Sequence, residues 1–234
     1  MPYRTLLLDA DGTLLDFDRS ESEAIRRTLQ RYQLPDADEW IEAYHRINDA
    51  MWKQLERGEI AKTDLRWMRF SHLLEHFGIC GDYYAMAETY VDELSARAYF
   101  LPGALAACRT LANQYRLYII TNGIAYVQNR RLSSLPLADL IVKCYISEEI
   151  GYEKPDIRYF KAVANDISDF DPATTLVVGD SLTSDMAGGI GAGLDTCWIN
   201  PKQHPIPQNI PITYSIPSMA DLPALLMRNE ADNL

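Results

Sequence analysis

The sequence predicts an α/β fold, a parallel sheet covered by helices, with a block of helices inserted after the first strand. Three observations carry this reading. Short apolar, β-rich runs recur and end in polar residues, stretches of helical periodicity separate most of them, and one long interval has helical patterns without a strand. Strands that alternate with helices imply a parallel sheet buried on both faces.

The first predicted strand is Tyr3 to Leu8, an apolar run that stops at Asp9. From about Phe17 to Phe100 no strand pattern is convincing. Tyr44, Ile47, Met51 and Leu55 recur at i, i+3, i+7 and i+11, and Leu65, Met68, Leu73 and Phe77 form a second apolar stripe. The α/β pattern resumes at Leu101-Pro102-Gly103. Residues 1–16 and 101–234 are therefore expected to form an α/β catalytic core, and residues 17–100 a helical cap. Further strands are predicted at Tyr115 to Ile120, Cys144 to Ser147, Thr175 to Val178 and Thr196 to Ile199, and helices at Ala104 to Ala112, Tyr126 to Leu132, Ile157 to Ile167 and Ser184 to Ile190. The Pro-rich stretch from Pro201 to Pro217 reads as an irregular connection before a last helix near Met219 to Met227.

Composition narrows the partners. The 234 residues carry a net charge of −11, which argues against a nucleic acid polymer or an anionic membrane as the main partner. A small anionic substrate stays open, because a bound cation or a few donors reverse the field inside one pocket. Cys80, Cys108, Cys144 and Cys197 form no CxxC pair and no zinc-type spacing, as expected of reduced thiols in a cytoplasmic protein. The first apolar run is too short for a signal sequence or a spanning helix, so export and membrane insertion are not expected.

The chemistry is expected at the carboxyl ends of the strands, where open α/β sheets bind ligands. Asp9-Ala10-Asp11-Gly12-Thr13 follows the first strand with two carboxylates one residue apart. One carboxylate can attack phosphorus, and its neighbour can donate and later accept a proton. An ordinary Asp-Gly turn accounts for the same residues equally well when they are taken alone. Thr121-Asn122-Gly123 ends the second core strand with a hydroxyl and an amide suited to phosphate oxygens. Lys154 lies in Glu153-Lys154-Pro155-Asp156, where Pro155 sits near a helix start and Asp156 is a candidate cap. Gly179-Asp180-Ser181-Leu182-Thr183-Ser184-Asp185 adds two acids after another strand, and Asp180 offers a hard oxygen ligand. So many acids beside a phosphate require a cation such as Mg²⁺ to screen them.

These four elements in this order resemble the haloacid dehalogenase superfamily, in its phosphatase branch with a helical cap between the first and second motifs. The resemblance spans nearly the whole chain and implies a Rossmann-like core. It implies that Asp9 is a nucleophile forming an aspartyl-phosphate and that Asp11 is the general acid and base. Thr121 and Lys154 would hold the phosphate. Mg²⁺ would be held by Asp9, Asp180 and the Asp11 carbonyl, with Asp185 supporting Lys154 or a metal-bound water. A narrower resemblance, to the bacterial 5′-nucleotidases that dephosphorylate nucleoside monophosphates, commonly pyrimidine ones, rests on several segments. These are Ile120 to Gly123 with Gln128 and Arg131 following, Ile146 to Gly151, Gly179 to Asp185 continuing through Gly188 to Gly193 and Cys197 to Asn200, and Gly58 to Phe70 in the cap. Two positions depart from it: Leu8 stands where the family often has Phe, and Gly12 where this subgroup often has an acid. A phosphatase of another small ester such as a sugar phosphate, and a phosphosugar mutase, are the alternatives on the same scaffold. A non-catalytic phospholigand-binding module is disfavoured because every motif position keeps a competent residue, and a dehalogenase needs neither Asp11 nor a metal.

Two other signals carry less. His72-Leu73-Leu74-Glu75-His76 fits an inverted zinc-peptidase spacing but has no third ligand, and an exposed helical face explains it. Gly188 to Gly193 closes a helix and is expected to serve close packing rather than nucleotide binding. The cap aromatics Trp40, Tyr44, Trp52, Trp67 and Phe70 are expected to be mostly core, with a minority free to stack on a base. Segments near Leu14 to Phe17 and Leu101 to Gly103 are the expected hinges.

Overall fold

The computed structural model describes residues 3–137 and 139–231. The chain divides into two compact units, one made of Met1–Phe17 and Tyr99–Leu234 and the other of Asp18–Ala98.

The first unit is built on six parallel strands, β1 (Thr5–Asp9), β2 (Arg116–Thr121), β3 (Ile141–Ile146), β4 (Thr175–Gly179), β5 (Asp195–Ile199) and β6 (Tyr214–Ile216), in the spatial order β3-β2-β1-β4-β5-β6. This is the Rossmann-like arrangement, in which the order reverses beside β1 and opens a crevice at the carboxyl ends of the strands. Register fixes what lies in that crevice. Asp9 pairs with Ile120, and Leu8 pairs with Val178, so the ends of β1, β2 and β4 are level. β1 and β4 are buried along their whole length because helices cover both faces, and this explains their unbroken apolar sequence.

The helices of this unit are α5 (Ala104–Leu111), α6 (Ala125–Ser133), α7 (Ser147–Ile150), α8 (Ile157–Asp166), α9 (Ala187–Gly191) and α10 (Leu222–Ala231). α8 shows how sequence makes one of them. Asp156 accepts a hydrogen bond from the Arg158 N–H as N-cap, and Tyr159, Phe160 and Val163 form the stripe that packs with Leu7, Ile120 and Val177 of the sheet. Pro155 lies before the cap, one residue outside the expected first turn, in a cis peptide with Lys154. The expected helix at Ser184 begins earlier, as a wide turn over Leu182–Met186 that Ser181 caps through the Ser184 N–H, and it continues into α9. Gly188 lies against Phe160, and Gly189 against Thr196 and Val177, so these two glycines serve packing.

Two sequence expectations are corrected. Tyr214–Ile216 is an edge strand inside the stretch read as irregular, and the strand expected at Cys144 begins at Ile141. Both lie at sheet edges, where one side of the ladder is unpaired and the apolar signal weakens; Val142 and Lys143 are exposed.

The second unit contains α2 (Asp38–Glu56), α3 (Lys62–His76), α4 (Tyr83–Ser95) and all of α1 (Phe17–Arg31) beyond its first residue. Its core follows the predicted stripes, with Met51, Leu55 and Leu65 buried and Ile47, Trp52, Ile60 and Met68 packed around them. Trp40 stacks on Phe77 at a centroid distance of 3.9 Å, and Tyr44, Phe70 and Tyr90 form a buried aromatic cluster. Arg69 is buried among these rings, 4.5 Å over Tyr90, and donates to Asn48 Oδ1, whose amide donates to the buried Glu21. Glu21 also meets His45, and this hydrogen bond holds His45 above its ordinary pKa. A buried charge chain of this kind fixes how three helices meet. His72, Glu75 and His76 lie on an exposed face of α3, as the sequence reading expected, and take part in no close group of metal-binding side chains among the described residues.

Candidate active site

Three strand ends and one loop converge. Asp9 closes β1, Thr121 closes β2, Asp180 follows β4, and Lys154 arrives from the loop between α7 and α8. The Lys154 ammonium is fully buried and donates to Asp9 Oδ1 at 2.7 Å, Asp185 Oδ1 at 2.6 Å and the Ile120 carbonyl at 3.0 Å. An ammonium has three donors, and all three are used here. Burial works against this charge, but Asp185 and Asp9 outweigh it and hold the Lys154 pKa above the usual lysine range. Replacing Lys154 by an uncharged residue strands Asp9 and Asp185 as buried charges and costs about 3–5 kcal/mol, because they have no water to turn to.

The Lys154 loop is itself held. The Asn122 side-chain amide donates to the Lys154 carbonyl and accepts from the Lys154 N–H, both at 2.8 Å. Asp185 Oδ2 accepts from the Ser181 N–H at 3.1 Å, and its carboxylate lies so close to Gly179 that a Cβ there would overlap it.

Three carboxylates, Asp9, Asp180 and Asp185, offer oxygens that all lie within 4.8 Å of one another, and they face one ammonium. Burial, with Asp185 and Asp180 alongside, pushes Asp9 up against the opposing pull of Lys154. Asp180 keeps contact with solvent, yet the protein around its carboxyl, together with Asp185, pushes it up to about 7. No ion pair balances Asp180 among the described residues. An excess of clustered carboxylates is the donor set of a hard divalent cation, and the residues fit one. Gly12 explains how Asp180 gets so close. It adopts a φ of +85°, and a Cβ at that position would overlap the Asp180 carboxylate, so an acidic residue in its place meets both strain and collision.

Asp11 stands apart from the three. Its carboxylate is turned to α6, where Gln128 Nε2 donates to Oδ2 at 2.7 Å and Arg131 Nη1 lies 2.8 Å from Oδ1 as an ion pair outside hydrogen-bond alignment. All seven residues singled out from the sequence are thus in one region of the α/β unit, with Asp11 on its α6 side. Sequence reading gave Gln128 and Arg131 no chemical role. They enter the sequence reading only as part of the subgroup resemblance, because a Gln and an Arg on a helix carry no spacing signal for chemistry, and their complete burial is visible only in the fold.

The chain belongs to the haloacid dehalogenase-like hydrolases, whose family pattern matches residues 3–193. It is therefore a hydrolase. Among individual relatives, it is 37% identical over 221 residues to the HAD-hydrolase YfnB of Bacillus subtilis, covering 94% of each chain. A crystal structure of YfnB bound to magnesium superposes with a TM-score of 0.92, covering 97% of this chain and 99% of that one. The chain is also 36% identical over 230 residues to the pyrimidine 5′-nucleotidase PynA of Streptococcus pneumoniae (98% of this chain, 97% of that one) and 29% identical over 229 residues to the pyrimidine 5′-nucleotidase YjjG of Escherichia coli (98% and 100%). No helix among the described residues is long and apolar enough to cross a membrane.

Proposed function

We propose that the protein is a Mg²⁺-dependent phosphatase that hydrolyses nucleoside 5′-monophosphates, pyrimidine ones in particular, through an aspartyl-phosphate on Asp9. The observation that carries this is the Asp9 carboxylate, anchored through one oxygen by buried Lys154 at the level strand ends, beside the acids Asp180 and Asp185. Similarity over nearly the whole chain to two pyrimidine 5′-nucleotidases supports the substrate class.

In this reading Asp9 attacks phosphorus, and the ester oxygen leaves with a proton from Asp11. Asp11 then takes a proton from the water that attacks the aspartyl-phosphate, which releases phosphate and restores Asp9. Thr121 donates its hydroxyl to a phosphate oxygen, Asn122 serves phosphate binding by clamping the backbone of Lys154, and Lys154 lends its charge while aligning Asp9. Asp185 keeps Lys154 in place. Asp9, Asp180 and the Asp11 carbonyl would hold the cation, which when bound supplies positive charge to the transferring phosphoryl group. The α/β unit is the catalytic core and the helical unit the cap. The phosphate-handling residues address what every candidate ester shares, so we assign leaving-group selectivity to the cap, with the part-exposed Trp52 and Trp67 as base-stacking candidates. The four cysteines are free thiols, which supports action in the cytoplasm.

The test is phosphate release with Mg²⁺ across uridine and thymidine 5′-monophosphates, their purine counterparts and ribose 5-phosphate. We expect kcat/KM for the pyrimidine nucleotides to exceed that for the sugar phosphate by at least about tenfold, the discrimination that one well-filled pocket supplies. Preference for the sugar phosphate would move the assignment to another small ester, and isomerisation without phosphate release would make the protein a mutase.

A further inference from the structure

Gln128 occupies a position whose hydrogen bonds fix its orientation completely. Its Oε1 faces Arg131 Nη1 at 3.2 Å, and a guanidinium can only donate. Its Nε2 therefore faces the other way, and donates both to Asp11 Oδ2 at 2.7 Å and to Thr121 Oγ1 at 2.8 Å. Gln128 and Arg131 are one helical turn apart on α6 and each is 1% exposed, with the Arg131 guanidinium 5.9 Å over the Phe17 ring. Gly123 makes room, since a Cβ there would overlap the Gln128 side chain.

The consequence for Thr121 follows from counting lone pairs. A hydroxyl oxygen has two, and those of Thr121 are filled by Gln128 and by the Gly123 N–H at 3.1 Å. Its remaining capacity is its one proton, so the hydroxyl is set as a donor. Asp11 is pinned by the same amide, and its carboxyl oxygens keep further lone pairs for a proton. One side chain thus orients two groups that the site uses for different ends of the scissile bond.

We propose that Gln128, locked by Arg131, is a positioning residue that aims the Asp11 carboxyl at the leaving oxygen and the Thr121 hydroxyl at the phosphate. This rests on the phosphatase reading above and deepens it. Leaving groups differ in their need for a proton. A nucleoside alkoxide departs only with one, whereas p-nitrophenolate is stable as an anion, so misaiming Asp11 penalises the alkyl ester selectively.

The experiment compares kcat and KM on uridine 5′-monophosphate and p-nitrophenyl phosphate for the wild type, Gln128→Ala, Gln128→Met and Gln128→Glu. A loss common to both esters reads Thr121; the excess loss on the nucleotide reads Asp11. We expect Gln128→Met to lower kcat on the nucleotide about 100-fold and on the aryl ester by less than about tenfold. Gln128→Glu keeps the volume but sets a carboxylate against Asp11, and is expected to lose at least as much on the nucleotide. If Gln128→Ala fails to fold, the two variants of near-native volume carry the comparison. Equal losses on the two esters in every folded variant, or full activity of Gln128→Glu, would overturn the inference while leaving the phosphatase reading standing. A wild type that releases phosphate from neither ester would overturn that reading, and the inference with it.

Discussion

Asp9→Asn is expected to reduce phosphate release by at least about 10⁴-fold while leaving the protein folded. An amide has no charge to attack phosphorus, so the covalent step disappears. The fold is spared for a reason specific to this site. Burial and the neighbouring acids push the Asp9 carboxyl up, so its ionised form is held at a cost, and an asparagine oxygen still accepts from Lys154. Melting temperature and far-ultraviolet circular dichroism of the variant are therefore expected to match the wild type within a few degrees. Near-wild-type phosphate release by a homogeneous preparation would remove Asp9 from the nucleophile's role.

Removing the divalent cation is expected to have an effect of similar size. Asp9, Asp180 and Asp185 put three carboxylates against one ammonium, and a phosphate dianion arriving there meets repulsion that Lys154 alone does not offset. Excess chelator is expected to bring activity to background, and added Mg²⁺ to restore it. Asp180→Asn keeps the shape of the side chain but removes its charge. Loss of an outer-shell partner alone costs about 10–100-fold in metal affinity, so this change in a ligand is expected to raise the Mg²⁺ needed for half-activity by at least about 10-fold. Full activity in chelator would contradict both expectations. An unchanged Mg²⁺ requirement in Asp180→Asn would remove Asp180 from the ligand set.

How much of this was legible in the sequence depended on burial. β1 and β4 are sheathed on both faces, and their unbroken apolar runs announce them. The edge strands do not announce themselves: β6 is three residues long between prolines, and β3 opens with the exposed Val142 and Lys143. Because Asp9, Thr121 and Asp180 sit at or just past strand ends, their relation to one another could be read from strand order alone. Side-chain partnerships were different. That Asn122 clamps the backbone of Lys154, or that Gln128 turns one amide to Asp11 and Thr121, depends on rotamers and helix placement that no spacing encodes. Gly12 was visible as a departure from the subgroup's pattern, but its reason, the Asp180 carboxylate in the space a Cβ would take, appears only in three dimensions.

The central claim, transfer of the phosphoryl group to Asp9, is tested most directly by trapping the intermediate. Asp11→Asn removes the base for the second step, while p-nitrophenyl phosphate, whose leaving group needs no proton, still allows the first. Mixing this variant with Mg²⁺ and p-nitrophenyl phosphate, quenching in acid and measuring the mass of the intact chain and its peptides is expected to find one added phosphoryl group on the peptide that holds Asp9, absent when Asp9→Asn is combined with Asp11→Asn. A phosphoryl group on another residue, or equal labelling of the double variant, would contradict the account.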